Sequence, residues 1–393
     1  MKNLGLYFHF PFCESKCSYC DFYSVVGCED KETYLEAMML QCEDYSDAAK
    51  EYAVDTVFFG GGTPTTVPAR SICDLIDCIY ENFNVALDAE FTIEANPATV
   101  TKQDLKRLLK SGVNRISFGL QSANDKELDA LSRIHNFEEF VESYNLARDV
   151  GFENINIDVM YGIPNQTMDS FRDTLDKVIA LEPEHISLYN LKIEPNTPMG
   201  AIKDTLVLPD EDMEYRMYEY AILTFAQNDY VQYEISNFAR KGYECKHNLK
   251  YWQLEPYIGI GAAAHSYFRD KRFSFVSDIN RYIDCVMNED CHEKITDECY
   301  TITPKERVGE YIMLSLRLKK GVDLLEFSNT YGLDFERMYE DLLPVYVENG
   351  FMLRTREGYA FTPKGMYVSN YILSSMLDFS SEIDKNIANG SDK

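Results

Sequence analysis

Six short apolar, β-rich runs recur along the first half of the chain, at residues 4–10, 56–59, 90–94, 115–120, 154–160 and 185–191. Between them lie stretches with helical periodicity, at residues 32–42, 71–82, 102–111, 138–150 and 169–180. Strands alternating with helices at this spacing form consecutive βα units, and hence a parallel sheet or barrel. Thr101 ahead of a helical stretch, and Gly112 and Gly151 where helices should stop, support the segmentation. Six units predict an α/β fold whose core is a partial (βα)6 barrel, not a closed eight-stranded one.

Past about residue 195 the alternation weakens. Residues 210–228 have the pattern of one long amphipathic helix, and 243–268 are rich in aromatics and glycine. From about residue 303 three helices (304–318, 324–331, 335–348) and a hairpin (351–355, 359–361) predict a small winged-helix-like domain. The expected organisation is a barrel core over 1–195 and an extension packing on it over 196–300. A winged-helix-like domain over 301–380 and a flexible tail over 381–393 complete it.

Charge decides whether that last module meets nucleic acid. The chain of 393 residues has 38 Lys and Arg against 65 Asp and Glu, a net charge of −27. Its third helix, with Asp334, Glu336, Glu340, Asp341 and Glu348 against Arg337, would be repelled by phosphate. No nucleic-acid partner is expected, and a packing or substrate-covering role fits better. No apolar run reaches the roughly 18 residues of a membrane helix. His9 and Pro11 interrupt the apolar start, and no small-residue cleavage site follows. A cytoplasmic, reducing location is therefore expected, with any membrane contact peripheral. Lys319-Lys320 and Arg354/Arg356 are the candidate basic patches for such contact, and a solvated surface is the plainer reading of both.

Eight of eleven cysteines (Cys28, Cys42, Cys73, Cys78, Cys245, Cys285, Cys291, Cys299) are scattered and fit small structural hydrophobes. The other three stand in Pro11-Phe12-Cys13-Glu14-Ser15-Lys16-Cys17-Ser18-Tyr19-Cys20, a CxxxCxxC loop directly after the first strand. Thiolates are the ligands iron–sulfur clusters prefer. Three are one short for a 4Fe–4S cubane, which leaves one iron open to a substrate or cofactor. A structural zinc would want a fourth Cys or His, and none lies close in sequence.

This loop resembles the signature of radical S-adenosylmethionine (SAM) enzymes, whose partial barrel carries it after the first strand and whose open iron is chelated by SAM. Gly60-Gly61-Gly62-Thr63-Pro64, after the second strand, resembles that family's glycine segment. Glu94, Gln121 and Asp158 stand at or near later strand ends, where parallel barrels gather functional side chains. The segments 7–13, 59–65, 93–97, 115–122 and 158–167 and the tail further resemble the oxygen-independent coproporphyrinogen oxidase family. By position, the resemblance implies that Tyr7, Gly61 and Glu94 contact the cluster-bound SAM. It implies likewise that Tyr19, Gly62, Thr63, Gln121, Arg133 and Asp158 surround a second SAM.

Two departures set the branch. The oxidases extend their motif to CxxxCxxCxC, but Phe22 stands two positions after Cys20, and only twelve residues precede Cys13. Both are marks of the sister branch, the heme chaperone HemW, as is an HNxxYW segment, here His247-Asn248-Leu249-Lys250-Tyr251-Trp252. Imidazole is a common axial ligand of heme iron, and Tyr and Trp rings can lie against a porphyrin. The resemblance thus implies heme contact by His247, covalent in one version, while His9 and His265, in barrel-mouth segments, are candidates for a second axial ligand or for lining the cavity. His135, His185 and His292 have weaker ones.

The expectation is a protein that binds a 4Fe–4S cluster, SAM and heme and delivers heme to acceptors such as respiratory cytochromes at the membrane. If SAM is cleaved, the reduced cluster would donate one electron to the sulfonium and release a 5′-deoxyadenosyl radical. Competing readings are oxidative decarboxylation of coproporphyrinogen III, radical-SAM heme degradation and tRNA modification, the last disfavoured by charge. Oligomeric state, a homodimer included, is left open.

Overall fold

Each of the six runs forms a strand. In a computed structural model describing residues 1–28, 30–97, 99–288 and 294–377, β1 (Lys2–Phe10), β2 (Tyr52–Gly61), β3 (Val85–Ala95), β4 (Arg115–Gln121), β5 (Ile155–Tyr161) and β6 (His185–Asn190) pair in that order, all parallel. The crossovers carry α1 (Lys31–Ala49), α2 (Ala69–Asn82), α3 (Lys102–Lys110), α4 (Phe137–Val150) and α5 (Met168–Ala180), and α6 (Glu211–Gln227) follows β6. Strands covered on both faces need near-continuous apolar runs, and β4 and β5 are buried at all but one position each. Local chemistry sets the helix ends. Thr101 Oγ1 accepts from the Asp104 N–H, Asn136 and Glu139 form a capping box, and Gly151 ends α4 at φ +112°.

The extension does not form a layer of its own. β7 (Val231–Gln232) and β8 (Asn237–Ala239) continue the sheet antiparallel past β6. On the other side β9 (Tyr257–Ile260) lies parallel to β1, followed by the antiparallel β10 (His265–Phe268), β11 (Lys271–Phe275) and β12 (Thr296–Thr301). The result is one twelve-stranded sheet, ordered β12-β11-β10-β9-β1-β2-β3-β4-β5-β6-β8-β7. Between β8 and β9 the chain forms α7 (Lys246–Trp252), the HNxxYW segment.

The C-terminal module differs from expectation in its third helix, which is two short helices, Phe335–Met338 and Leu342–Glu348. Pro344 is the reason: in a continuous helix its ring would clash with the carbonyl four residues back, whereas near a helix start it is tolerated. The hairpin strands Met352–Arg354 and Gly358–Phe361 gain a third, Val322–Asp323. Glu310 accepts two bonds from Arg272 of β11, at 2.8 and 3.0 Å, and ties the module to the sheet. Lys320 pairs with Glu326 and Arg354 with Glu336, so these two candidate docking bases are already matched. No helix among the described residues is long and apolar enough to cross a membrane. Of the scattered cysteines, Cys42, Cys78, Cys245 and Cys285 are buried, Cys28 and Cys73 half-buried, and Cys299 exposed. Cys291, His292 and the expected tail over 381–393 lie outside the described residues.

Candidate functional site

The barrel is stoppered at the N-terminal ends of its strands by α7. Gly5 of β1 is required there, since a methyl group on it would come within 2.9 Å of Lys250 Cδ and 3.3 Å of His247 Cε1. The helix has no side-chain cap of its own. Glu90, pointing inward from β3, supplies one: its carboxylate accepts from the N–H groups of Lys246 and His247, both at 3.1 Å, and from the Cys245 thiol. Lys250, only 2% exposed, ends between Asp55 and Glu255, each at 2.7 Å. Glu90→Ala would bury two unpartnered N–H groups and is expected to cost about 2–4 kcal/mol in urea unfolding. A loss below about 1 kcal/mol would mean that the cap is dispensable.

His247 of this helix lies in the barrel floor. Its ring is fully buried, stacked on Phe58, with Nδ1 2.8 Å from Thr56 Oγ1 and Nε2 2.8 Å from Tyr251 Oη. Burial first, then the charges of Lys250 and Arg115, lower its pKa to about 3, so the ring is neutral. With both nitrogens committed, it presents no lone pair to a metal in this arrangement. What it does is hold Tyr251. Of the other histidines, His185 is locked between Asn156 and Tyr233, and His135 bonds the Leu120 carbonyl.

Above this floor comes the cysteine loop. Phe12–Cys13 pairs with Val25–Val26, and backbone bonds from Ser18 to Leu131 and from Met199 to Ser18 pin the middle of the loop. Gly62 and Thr63 donate to the carbonyls of Phe10 and Phe12, at 2.8 and 2.7 Å, and Gly61 donates to Glu94 Oε2 at 3.1 Å. The Gly62 N–H thus holds the loop, and the Gly61 N–H holds Glu94. Side chains are excluded by space: a methyl on Gly61, at φ +107°, would lie 2.5 Å from the His9 ring, and one on Gly62 2.6 Å from the Phe12 carbonyl oxygen.

Cys13, Cys17 and Cys20 are free and half-exposed on this loop. Among the described residues no three His, Cys, Asp or Glu converge on a single metal ion. Three thiols on one pinned loop are the donor type that an iron–sulfur cluster takes. Arg133 joins the loop to the strand ends: it donates to Cys17 Sγ at 3.3 Å, to Asn96 and to the Gly119 carbonyl, while its buried Nε has no partner among the described residues. Asn96 in turn donates to Thr63 Oγ1 at 3.0 Å, and Thr63 Oγ1 lies 3.8 Å from Cys13 Sγ. Asn96 escaped the sequence reading, although it stands two residues past Glu94 and so on the same face.

The remaining candidates gather at the same mouth. A bulge between Gly119 and Gln121 re-aims the end of β4 and leaves Gln121 at φ +75°, a strained value for a side-chain-bearing residue. Asp158 accepts from Asn156 at 2.8 Å, and burial raises its pKa. Burial, and next the charge of Asp158, push Glu94 up to about 8. Burial likewise raises the phenols of Tyr7 and Tyr19, opposed at Tyr19 by Arg133. Two reluctant carboxylates at one mouth, with Arg133 beside Asp158, fit a ligand with both cationic and anionic groups, as a sulfonium amino acid has.

Beside the loop opens a cavity of about 460 Å³ lined by Tyr7, His9, Asp21, Phe22, Tyr23, Tyr251, Tyr257 and His265, with Ala263 and Ser277. It is wide enough for a drug-sized planar ligand, and Phe22, the departure from the oxidase motif, stands on its wall.

Residues 7–178 match the radical SAM superfamily, and residues 302–368 match the HemN C-terminal domain. The chain is 35% identical to the heme chaperone HemW of Bacillus subtilis over 94% of this chain and 98% of that one. Its identity to HemW of Escherichia coli is 33%, over 96% and 99%. Coproporphyrinogen III oxidase (HemN) from Escherichia coli superposes with a TM-score of 0.82 at 24% identity, over 96% of this chain and 90% of that one. At that identity the likeness speaks for the fold alone.

Proposed function

The chain belongs to the family of the heme chaperone HemW, within the radical SAM superfamily, and we propose that it binds heme beside a cluster-and-SAM site and passes it to an acceptor protein. The observation that carries this reading is an aromatic cavity opening next to the cysteine loop, in a chain similar to HemW proteins from end to end. Cys13, Cys17 and Cys20 would hold the 4Fe–4S cluster. Glu94, Gly61 and Tyr7 would hold the SAM on it, and Tyr19, Gly62, Thr63, Gln121, Arg133 and Asp158 would line a second SAM position. When bound, the cluster supplies an open iron and a single electron. The chain's own residues orient and exclude: Arg133 fixes the loop against β3 and β4, and the α7 stopper closes the barrel from below. Tyr251, held by His247, walls the cavity. Acceptors of the respiratory-cytochrome kind, met at a membrane surface, complete the reading.

Oxidation of coproporphyrinogen III is the second reading, favoured by the match of residues 302–368 to the HemN C-terminal domain and opposed by Phe22 at the position of the oxidases' further cysteine. Anaerobic reconstitution, with heme and coproporphyrinogen III offered separately in the presence of SAM and reductant, separates the two. Stoichiometric heme uptake that survives Cys13→Ala is the expected result. Vinyl-bearing product from coproporphyrinogen III would overturn the chaperone reading, and SAM-dependent loss of intact heme would point to degradation.

A further inference from the structure

At the β7 edge of the sheet a second cavity, of about 560 Å³, opens between the end of α6 and the C-terminal module. Ile222, Ala226 and Val231 give it apolar walls, and Tyr230 and Gln232 complete it from buried positions. Its charges are Arg240, Lys241 and Lys319 against the single acid Asp229, the reverse of a chain with 38 bases and 65 acids. It is a local basic pocket on an acidic protein.

These bases are short of partners. Lys320 is matched by Glu326 at 3.2 Å and Asp323 at 3.6 Å, but the ammonium groups of Lys319 and Lys241 make no hydrogen bond or ion pair among the described residues. Partial desolvation lowers the Lys319 pKa, and no carboxylate opposes it. Arg240 lies over the Tyr230 ring, 5.4 Å from its centre, and reaches Glu182 only at 3.9 Å. Its buried Nε has no partner among the described residues. The position of Lys319 is fixed, since its N–H donates to the Tyr233 carbonyl at 2.9 Å and Glu234 bridges Leu318 beside it. Those same bonds cover the sheet edge, so an acceptor's peptide cannot add there as a further strand. Nor does the cavity offer heme iron a ligand, for no His, Cys or Met lines it.

We propose that this cavity seats the anionic headgroup of a membrane phospholipid and is where the chain docks on a membrane surface. The phosphate meets Arg240, Lys241 and Lys319, and the apolar walls take the carbon chain that leads from it. Two neighbouring side chains fit the same surface: Leu223, one turn from Ala226 on α6, and Val231 are each 58% exposed. Apolar side chains standing in water beside unpaired bases suit the boundary between headgroups and acyl chains. A chain of net charge −27 is otherwise repelled by an anionic membrane, so a local patch sets which face it presents. The proposal deepens, and rests on, the reading that heme acceptors are met at a membrane.

The test is flotation of the full-length protein with phosphatidylcholine vesicles, with and without phosphatidylglycerol. The wild type is expected to prefer the phosphatidylglycerol vesicles. Lys319→Gln should lose about fivefold in binding, and Arg240→Gln, Lys241→Gln and Lys319→Gln together about 100-fold. Arg356→Gln, which removes an exposed base of the same module outside the cavity, should lose nothing. Leu223→Ser with Val231→Ser should weaken binding while keeping the lipid preference, and circular dichroism checks the fold of every variant. Equal losses in Lys319→Gln and Arg356→Gln, or no preference for phosphatidylglycerol in the wild type, would overturn the site. So would inorganic phosphate that releases the protein from vesicles at the concentration at which phosphatidylglycerol binds it, since the pocket would then take free phosphate. Heme uptake lost in the triple variant with vesicle binding intact would hand the bases to propionates. Heme uptake is otherwise independent of this readout: its absence from a wild type that still floats would sink the chaperone reading and leave the lipid site standing.

Discussion

Replacing any one of Cys13, Cys17 and Cys20 by alanine is expected to strip the chain of its cluster, and of SAM with it, while leaving the fold intact. The fold survives because backbone groups hold the loop. Ser18 donates to Leu131, Met199 to Ser18, Cys20 to Cys17 and Thr63 to Phe12, and none of these bonds uses a thiol. All three side chains are half-exposed, so each substitution is expected to change unfolding free energy by no more than about 0.5 kcal/mol. The cluster has no such redundancy. Two thiolates would leave a second iron of the cluster without a protein ligand. Loss of an outer-shell partner alone costs roughly 10–100-fold in metal affinity, so loss of a ligand should exceed about 100-fold. Iron and sulfide analysis after anaerobic reconstitution reads it directly. A variant that retains full iron content and SAM binding would remove that cysteine from the ligand set.

That site was legible in sequence because its spacing is local. Three thiols within eight residues, a glycine run one strand later and acids at strand ends can all be seen without knowing what touches what. The barrel strands were legible for a related reason: burial on both faces demands apolar runs, and β4 and β6 each depart by one residue from their expected C-terminal ends. Strand starts were harder. β2 begins at Tyr52, four residues ahead of the apolar run, because its first turns of pleat alternate with half-exposed Ala53 and Asp55.

What stayed hidden depends on contacts between distant residues. Nothing around Glu90 announces that it caps a helix at residue 246, and nothing in HNxxYW announces that the histidine faces inward to Thr56 while the tyrosine faces the cavity. The break in the third tail helix is the contrary case, since Pro344 was in view and the acidic run around it drew a continuous helix across it.

Glu94→Gln is expected to stabilise the ligand-free protein at alkaline pH and to weaken SAM binding. In the fold, burial and the neighbouring Asp158 raise the Glu94 pKa from 4.5 to about 8, against the opposing pull of the Gly61 N–H and Arg115. An acid whose pKa is raised by folding binds more protons in the native state than in the unfolded chain. Stability therefore falls as pH climbs from the unfolded pKa to the folded one, between roughly pH 4.5 and 8, by an amount on the order of 3–5 kcal/mol. Glutamine removes this dependence and can still accept from the Gly61 N–H, so urea unfolding of the cluster-free variant should show a flatter pH profile. Asp158, whose pKa is raised in the same direction, keeps part of the slope. The chain tolerates the burden for its use: a cation seated at this mouth would favour the ionised carboxylate, coupling SAM affinity to pH. Wild-type affinity should rise with pH up to about 8 and that of Glu94→Gln should rise less, with weaker binding throughout, as isothermal titration of the reconstituted protein would read. Equal SAM affinities for the two proteins across that range would show that Glu94 does not face the cation, whatever its cost to the empty fold.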